Sequence, residues 1–248
     1  MKKAVIIFLL VTQPLLAQSG FEIGNTLYQQ GNYEGAVTAY ENVLVGKKQS
    51  AELYFNLANS YYKLNKVAPA IYNYEKALLL NPGDVEIQNN LTFAHKMTID
   101  EIKDVPQVGF AKMLRDFTGS FSYDGWAWIS VGFASLFLLF FLGYYFSQTT
   151  FLKRVFFIGM FVVVFLIIIG ILAAVSEKNH DVSERPAIVF SEITPVKSEP
   201  KDSGSDIFIL HEGTKVFVDE MLDNWKKIRL SDGSEGWIQS SAIREIKE

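Results

Sequence analysis

Two stretches of the chain carry no charged side chain and are long enough to cross a lipid bilayer. They run over residues 126–146 and 155–175, and each contains 21 residues. At about 1.5 Å per residue in an α-helix, each stretch covers roughly 31 Å, which matches the thickness of the hydrocarbon core. We therefore predict two transmembrane helices, with the lipid bilayer as the partner of this part of the chain.

The charges around these stretches predict their orientation. The loop between them, residues 147–154, contains Lys153 and Arg154 and no acidic residue. Positive loops remain on the cytoplasmic side, so both flanking soluble parts are expected on the outer side. Neither stretch contains the Asp, Glu, Lys, Arg or His that transporters and proton relays use. The pair is interpreted as an anchoring hairpin.

The amino terminus has the layout of a secretory signal. Lys2 and Lys3 precede an apolar run over residues 4–11, and Ala17 ends the segment. A permanent anchor is the alternative, but eight apolar residues cover only about 12 Å of a core about 30 Å thick. Residues 1–17 are therefore predicted to be a signal peptide, and the chain that follows is expected to be exported.

An internal repeat of 34 residues precedes the apolar stretches. Small and aromatic residues recur at this spacing: Gly24, Leu27, Ala36, Tyr40 and Val43 correspond to Ala58, Tyr61, Ala70, Tyr74 and Ala77. The repeat length and the second copy resemble the tetratricopeptide repeat family. The resemblance implies an all-α solenoid over residues 18–104, with repeats at 17–50 and 51–84 and a capping helix at 85–98.

The first helices of such an array line a groove, and the expected groove positions are rich in aromatic and amide side chains. The candidate partner-binding residues are Phe21, Asn25, Tyr28, Phe55, Asn56, Asn59, Tyr62, Asn89 and Phe93. The rings would stack on an extended peptide or a helix, and the Asn amides would bind its backbone. The alternative is that several of these rings belong to the core of so small an array. Some tetratricopeptide domains grip an acidic carboxyl-terminal tail with amide and basic side chains. Here Asn25 and Asn56 correspond to the amides, but Glu86 and Asn90 stand where the basic residues are needed, so this clamp is half missing.

Two segments connect the predicted modules. The connector 105–125 contains an amphipathic stretch, residues 110–117, which either lies on the membrane surface or packs as a short connection. A polar linker is expected over residues 176–185, after the second apolar stretch.

Short alternating runs begin at residue 186 and predict five strands that close into a small all-β barrel. Glycine-containing turns separate two pairs of these runs. Residues 211–216, Trp225, 232–238 and 241–244 resemble bacterial SH3-like domains in that order, which implies this fold for residues 186–248. Trp225 is the candidate ligand-binding residue of a shallow groove for a peptide or a cell-wall peptide, with core packing as the alternative.

No catalytic arrangement is recognised in the sequence. His95, His180 and His211 lack the second histidine or the partnered acid that metal or acid–base chemistry requires, and the chain contains no cysteine. We therefore predict no enzyme, no metal site and no cofactor. Residues 18–104 contain 7 basic and 10 acidic side chains, and residues 186–248 contain 8 and 12, which disfavours nucleic acid as a partner.

The order of the modules, a signal, a tetratricopeptide array, a two-span hairpin and an SH3-like domain, resembles the BatE-type proteins of the aerotolerance (Bat) clusters of Bacteroidetes. The resemblance implies a non-catalytic scaffold of the bacterial inner membrane, with both soluble modules facing the periplasm. It would work beside von Willebrand A-domain membrane proteins and a MoxR-type ATPase in stress tolerance. The alternative is a cell-wall-associated adaptor whose SH3-like domain binds peptidoglycan. The predicted fold class is thus a multi-domain membrane protein with a solenoid, a helical hairpin and a barrel.

Overall fold

The structure, a computed structural model, describes residues 20–102 and 109–247. The predicted signal peptide lies outside the described residues. The chain divides into two compact units. The first comprises Met1–Asp100, Ile188–Thr194 and Leu210–Thr214, and the second comprises Glu101–Ala187, Pro195–Ile209 and Lys215–Glu248.

Five helices form the repeat region of the first unit. They are α1 Gly20–Gln29, α2 Tyr33–Val45, α3 Ala51–Lys63, α4 Val67–Leu80 and α5 Val85–His95. Side chains cap three of these helices: Asn32 accepts from the backbone N–H of Gly35, Ser50 from that of Leu53, and Asp84 from those of two residues in the first turn of α5. Such caps satisfy backbone donors that have no partner inside the helix, so the sequence itself sets where these helices begin.

The repeat period places small residues where the helices approach most closely. Ala36, Ala58, Ala70 and Ala77 are fully buried, and Tyr40 and Tyr74 fill the space beside them. A side chain at Gly24 would lie 2.3 Å from the Tyr40 ring, so only glycine fits there. The helical tetratricopeptide-like region that the period predicts is confirmed.

The second unit contains three helices, which are α6 Phe110–Thr118, α7 Tyr123–Phe146 and α8 Thr150–Ser183. Helices α7 and α8 are each long and apolar enough to cross a membrane. They pack along each other with aromatic rings against glycines: the Phe156 ring lies on Gly143, and the Phe140 ring lies on Gly159. An added Cβ at either glycine would meet the facing ring below 3 Å, so the glycines set the separation of the two helices.

Helix α8 extends past its apolar stretch into the segment predicted as a linker, which is helical as far as Ser183. Residues 176–183 contain neither glycine nor proline, and nothing in them stops a helix. A contact between His180 Nε2 and Glu184 Oε1, 3.2 Å apart, joins neighbouring turns. The helix ends where Pro186 opens the first strand.

Seven strands follow: β1 Pro186–Val189, β2 Ile193–Lys197, β3 Asp206–His211, β4 Lys215–Leu222, β5 Trp225–Arg229, β6 Glu235–Gln239 and β7 Ile243–Glu245. They form one sheet in the order β3-β2-β6-β5-β4-β1-β7, and the pairs β4–β5 and β5–β6 are antiparallel. The fully buried side chains of this sheet are mainly branched aliphatic ones, including Ile188, Val196, Val216, Ile228 and Ile238.

The predicted barrel is corrected to an open sheet of SH3-like type. Two strands were missing from the prediction, because β2 contains Pro195 and β7 has only three residues. The edges of the sheet are β3 and β7. Because the short β7 lies beside β1, no ladder joins it to β3 within residues 186–247, and the sheet does not close. The predicted Asp232-Gly233 turn is present, with Gly233 at φ +87° and the Asp232 carboxylate accepting from the N–H of Ser234.

Candidate interaction surfaces

A chain of side-chain hydrogen bonds connects the first helices of successive repeats. Asn25 Oδ1 in α1 accepts from the Tyr40 hydroxyl at 2.7 Å and from Asn56 Nδ2 of α3 at 3.0 Å. Asn59 Oδ1, 34 residues later, accepts from the Tyr74 hydroxyl at 2.6 Å and from Asn90 Nδ2 of α5 at 3.0 Å. We call this set of six residues the amide ladder. The 34-residue period therefore repeats polar contacts as well as packing.

The amide ladder is held by groups that stay neutral. Burial is the main cause that raises the pKa of Tyr40 to about 12, and it also raises the pKa of Tyr74. Both hydroxyls therefore remain protonated donors at neutral pH. A buried amide oxygen that lost these donors would be left without its partners, so the ladder stabilises the register of the repeats.

A concave pocket of about 390 Å³ lies over the second half of the ladder. Its walls are Tyr28, Asn59, Tyr62, Lys63, Tyr74, Glu86, Asn90 and Phe93. The ring of Phe93 is 52 % exposed, and Tyr62 is half-buried. The floor is therefore amide and phenol, the walls offer aromatic faces, and one basic and one acidic side chain stand at the rim.

The structure brings four of the predicted groove residues together in this pocket: Tyr28, Asn59, Tyr62 and Phe93. Other predicted residues lie elsewhere. The ring of Phe21 packs on Tyr40, and the ring of Phe55 packs on Tyr74, with centroids about 6 Å apart. Asn89 is exposed outside the pocket walls.

Three of the predicted Asn side chains take part in the amide ladder. The amide oxygens of Asn25 and Asn59 each accept two internal hydrogen bonds. Asn56 is a donor within the ladder. The binding of a partner's backbone by these amides stays a prediction, which would rely on polar atoms that these hydrogen bonds do not use.

A second polar cluster in the first unit was not predicted from the sequence. The Asp100 carboxylate accepts from the His211 backbone N–H at 2.7 Å and from the Thr214 hydroxyl at 2.6 Å, and it lies 2.7 Å from His211 Nδ1. Gly213, in the same turn, packs so closely that a Cβ would lie within 3 Å of Val67 and Thr98 side-chain atoms. The turn 211–214 is thus fixed against the helices of its own unit.

Asp100 is held in its charged form. Burial opposes ionisation, but hydrogen bonds from Thr214 and from the backbone and ring of His211 outweigh it and hold the pKa of Asp100 below its ordinary value of 3.8. The carboxylate is therefore the acceptor for all three donors near neutral pH. His211, which showed no role in the sequence, has a specific partner.

The pocket beside Trp225 belongs to the second unit. It has a volume of about 410 Å³ and is lined by Asp202, Asn224, Trp225, Gln239, Ser240 and Ser241. Trp225 itself is 9 % exposed, so most of its ring lies in the core of the sheet. Among the described residues, the Ser240 hydroxyl is a buried side-chain oxygen without a hydrogen-bond partner, and it lines this pocket. The pocket is mainly polar.

An ion-pair cluster holds the last strand of the sheet. Glu245 in β7 accepts two hydrogen bonds of 3.0 Å from the Arg185 guanidinium and one of 2.8 Å from Lys226 Nζ in β5. Burial opposes ionisation of Glu245, but Lys226 and Arg185 together lower its pKa below the ordinary value. The cluster therefore contributes to the stability of the sheet as a charged network.

Comparisons with known families agree with the observed elements. Residues 24–65 match the TPR repeat model, residues 51–84 match the tetratricopeptide repeat model, and residues 191–245 match the bacterial SH3 domain model. No curated protein matches the chain. Both kinds of module are typical of proteins that bind other proteins. In the part of the chain that the structure describes, no three His, Cys, Asp or Glu side chains are placed to hold a metal ion.

Proposed function

We propose that the chain is a non-catalytic, membrane-anchored scaffold that binds partner proteins through its tetratricopeptide groove. The observation that carries this proposal is the pocket of exposed aromatic faces over the amide ladder. Because Asn59 Oδ1 already accepts from Tyr74 and Asn90, these side chains are held in place before a partner binds, which lowers the cost of ordering them at the interface.

The chemistry of the pocket favours a peptide segment with apolar or aromatic side chains. Tyr62 and Phe93 offer ring faces for stacking, and such contacts dominate the free energy of many protein interfaces. Lys63 and Glu86 are exposed and carry opposite charges, so they could bind polar groups of the partner that flank an apolar side chain in the pocket. An extended segment or a helix from a partner protein fits this arrangement.

The anchoring part of the proposal is supported by the apolar surface of α7 and α8. Large side chains on the outer faces of the helix pair are exposed, among them Leu138, Phe141, Ile158 and Phe165. Contact with lipid tails would remove these side chains from water. The basic pair Lys153 and Arg154 favours a cytoplasmic connecting loop, with both soluble modules in the periplasm.

We further propose that the partners include von Willebrand A-domain membrane proteins and that the assembly is a Bat-type stress or aerotolerance complex. The support is the order of the modules, which resembles that of the BatE-type proteins. A scaffold anchored by two helices would present its groove to the domains of neighbouring membrane proteins.

The test is affinity purification of the full chain from native membranes, followed by mass spectrometry. The double variant Tyr62→Ala/Phe93→Ala should lose its companion proteins, because each truncated ring contributes about 1 to 3 kcal/mol at an interface hot spot. Val45→Ala is the matched control, since this exposed apolar residue of α2 lies outside the pocket. Retention of every companion by the double variant would refute the groove as the binding surface.

A second candidate function is supported by the polar pocket in the sheet. The unpartnered Ser240 hydroxyl and the amides of Asn224 and Gln239 suit a hydrophilic ligand such as peptidoglycan, which would make the chain a cell-wall adaptor. Co-sedimentation with isolated peptidoglycan would then fall in an Asn224→Ala/Ser241→Ala variant. Both changes avoid the largely buried Trp225, whose loss would disturb the core.

A further inference from the structure

Helix α6 carries an apolar face that is largely exposed in the described chain. Phe110, Met113, Leu114 and Phe117 follow the spacing i, i+3, i+4, i+7 and therefore lie on one side of the helix. Their side chains are 73 %, 62 %, 51 % and 46 % exposed, respectively. This exposure favours a helix that lies on the membrane surface over a packed connection.

The opposite side of α6 is polar and already paired. Lys112 Nζ lies 3.0 Å from the Asp116 carboxylate, and Arg115 approaches Glu184 at the end of α8 to 4.0 Å. No charged side chain of the helix falls within the apolar arc: at about 100° per residue, residues 112 and 115 lie about 150° from its centre and residue 116 lies about 110° from it. The helix is thus strongly two-sided.

The position of α6 ties it to the start of α7. Only residues 119–122 separate the two helices, and four residues span at most about 14 Å. The indole N–H of Trp126 donates to the Thr118 carbonyl at 2.7 Å, and the rings of Phe117 and Phe121 pack on Trp126. Helix α6 therefore cannot move far from the point where α7 begins its apolar stretch.

We propose that α6 is an interfacial helix, which inserts the face of Phe110, Met113, Leu114 and Phe117 into the boundary between headgroups and acyl chains of the phospholipid bilayer. This inference rests on the proposed membrane anchoring by α7 and α8. We choose the bilayer over a protein partner because the hydrogen bond from Trp126 to Thr118 keeps α6 beside the start of the apolar stretch of α7. If α7 spans the membrane, that point lies at the membrane surface in every copy of the chain.

The test uses single cysteines in the full chain, which contains none of its own. Met113→Cys on the apolar face, Lys112→Cys on the polar face and Leu138→Cys on the outer face of α7 are each labelled with an environment-sensitive fluorophore. The labelled proteins are reconstituted in vesicles of phosphatidylcholine and phosphatidylglycerol. Quenching is measured with iodide in the water and with nitroxide-labelled lipids in the bilayer. Lys112→Cys removes only an exposed ion pair, which contributes little to stability.

We expect the label at 113 to be quenched by nitroxide lipids and to be several-fold less accessible to iodide than the label at 112. The label at 138 should be quenched by lipid alone. Lipid quenching at 138 with free iodide access at 113 would overturn the interfacial helix and leave the anchor intact. Protection of 113 from both quenchers would also overturn it, because a protein surface would then cover the face. A label at 138 outside the lipid would refute the anchor itself.

Discussion

Replacing Asp100 with alanine should release the turn 211–214 from the helices of its unit. The carboxylate accepts from the His211 backbone N–H and the Thr214 hydroxyl and contacts the His211 ring, and all three distances are 2.7 Å or shorter. Its side chain is 12 % exposed, so solvent does not replace these contacts in the folded state. The variant leaves a buried backbone donor and a hydroxyl without their acceptor.

The size of the effect follows from these contacts. Hydrogen bonds to a charged group contribute about 1.5 to 3 kcal/mol each, and contributions within one cluster are not additive. We expect local opening of the turn to become easier by about 2 to 4 kcal/mol in total, which corresponds to a roughly 30-fold to 1,000-fold loss of amide protection.

Hydrogen–deuterium exchange with mass spectrometry on the full chain in detergent micelles measures this loss directly. Peptides covering residues 208–216 should exchange faster in Asp100→Ala, whereas those covering β5 and β6 should not change. The neighbouring exposed residue supplies the matched control, because Glu101→Ala should leave the exchange of 208–216 as it is. Unchanged protection of 208–216 in Asp100→Ala would refute the role given to the carboxylate.

Three further changes test other parts of the description. Because the folded-state pKa of Asp100 lies below 3.8, its charge stabilises the turn at neutral pH, and this contribution is lost as the pH falls through the folded-state pKa. The difference in 208–216 protection between the native chain and Asp100→Asn should therefore be fully present at neutral pH and vanish at the acid end. A difference that grows with acidification would contradict this account. Ala70→Trp should disrupt the repeat region, because Ala70 is fully buried and overpacking costs about 1 to 3 kcal/mol or more. In circular dichroism melts, the full chain with this change should lose its helical signal at a lower temperature, and an unchanged melt would mean that the repeat register is wrong. Glu245→Gln should weaken the contacts to Arg185 and Lys226, because replacing a charged acceptor by a neutral one costs about 1 to 2 kcal/mol. The amides of β7 should then exchange about tenfold faster. An unchanged exchange rate would show that the cluster contributes nothing to the stability of this edge strand.

The elements that sequence periodicity fixes were predictable in this chain. The 34-residue spacing predicts the helical repeats because packing between helices demands small residues at regular positions, such as Ala58 and Ala70. The long apolar stretches predict α7 and α8 because length and charge alone decide whether a helix suits a bilayer. Strand β2 was missed because Pro195 resembles a turn signal, although its strand alternates buried and exposed side chains.

The polar contacts of the candidate surfaces could not be predicted in the same way. Asp100 and His211 are 111 residues apart, and nothing in the local sequence of either marks a partner so distant. The amide ladder had a visible signal, since Asn25 and Asn59 are one period apart and so are Tyr40 and Tyr74. That Asn25 bonds to Tyr40 and Asn59 to Tyr74, and that Tyr62 and Phe93 line the pocket beside Asn59, depends on helix packing that only the structure supplies.

The amide ladder also determines how this array can change in length during evolution. Asn25 and Asn59 each accept from an Asn of the next repeat, so a duplicated 34-residue copy inserted between α2 and α3 would bring its own donor and acceptor and continue the series. A repeat added after α5 would find no such acceptor, because Phe93 occupies the position one period after Asn59. Duplication within the array is therefore compatible with the ladder, whereas a repeat added after α5 would meet an aromatic ring in place of an amide.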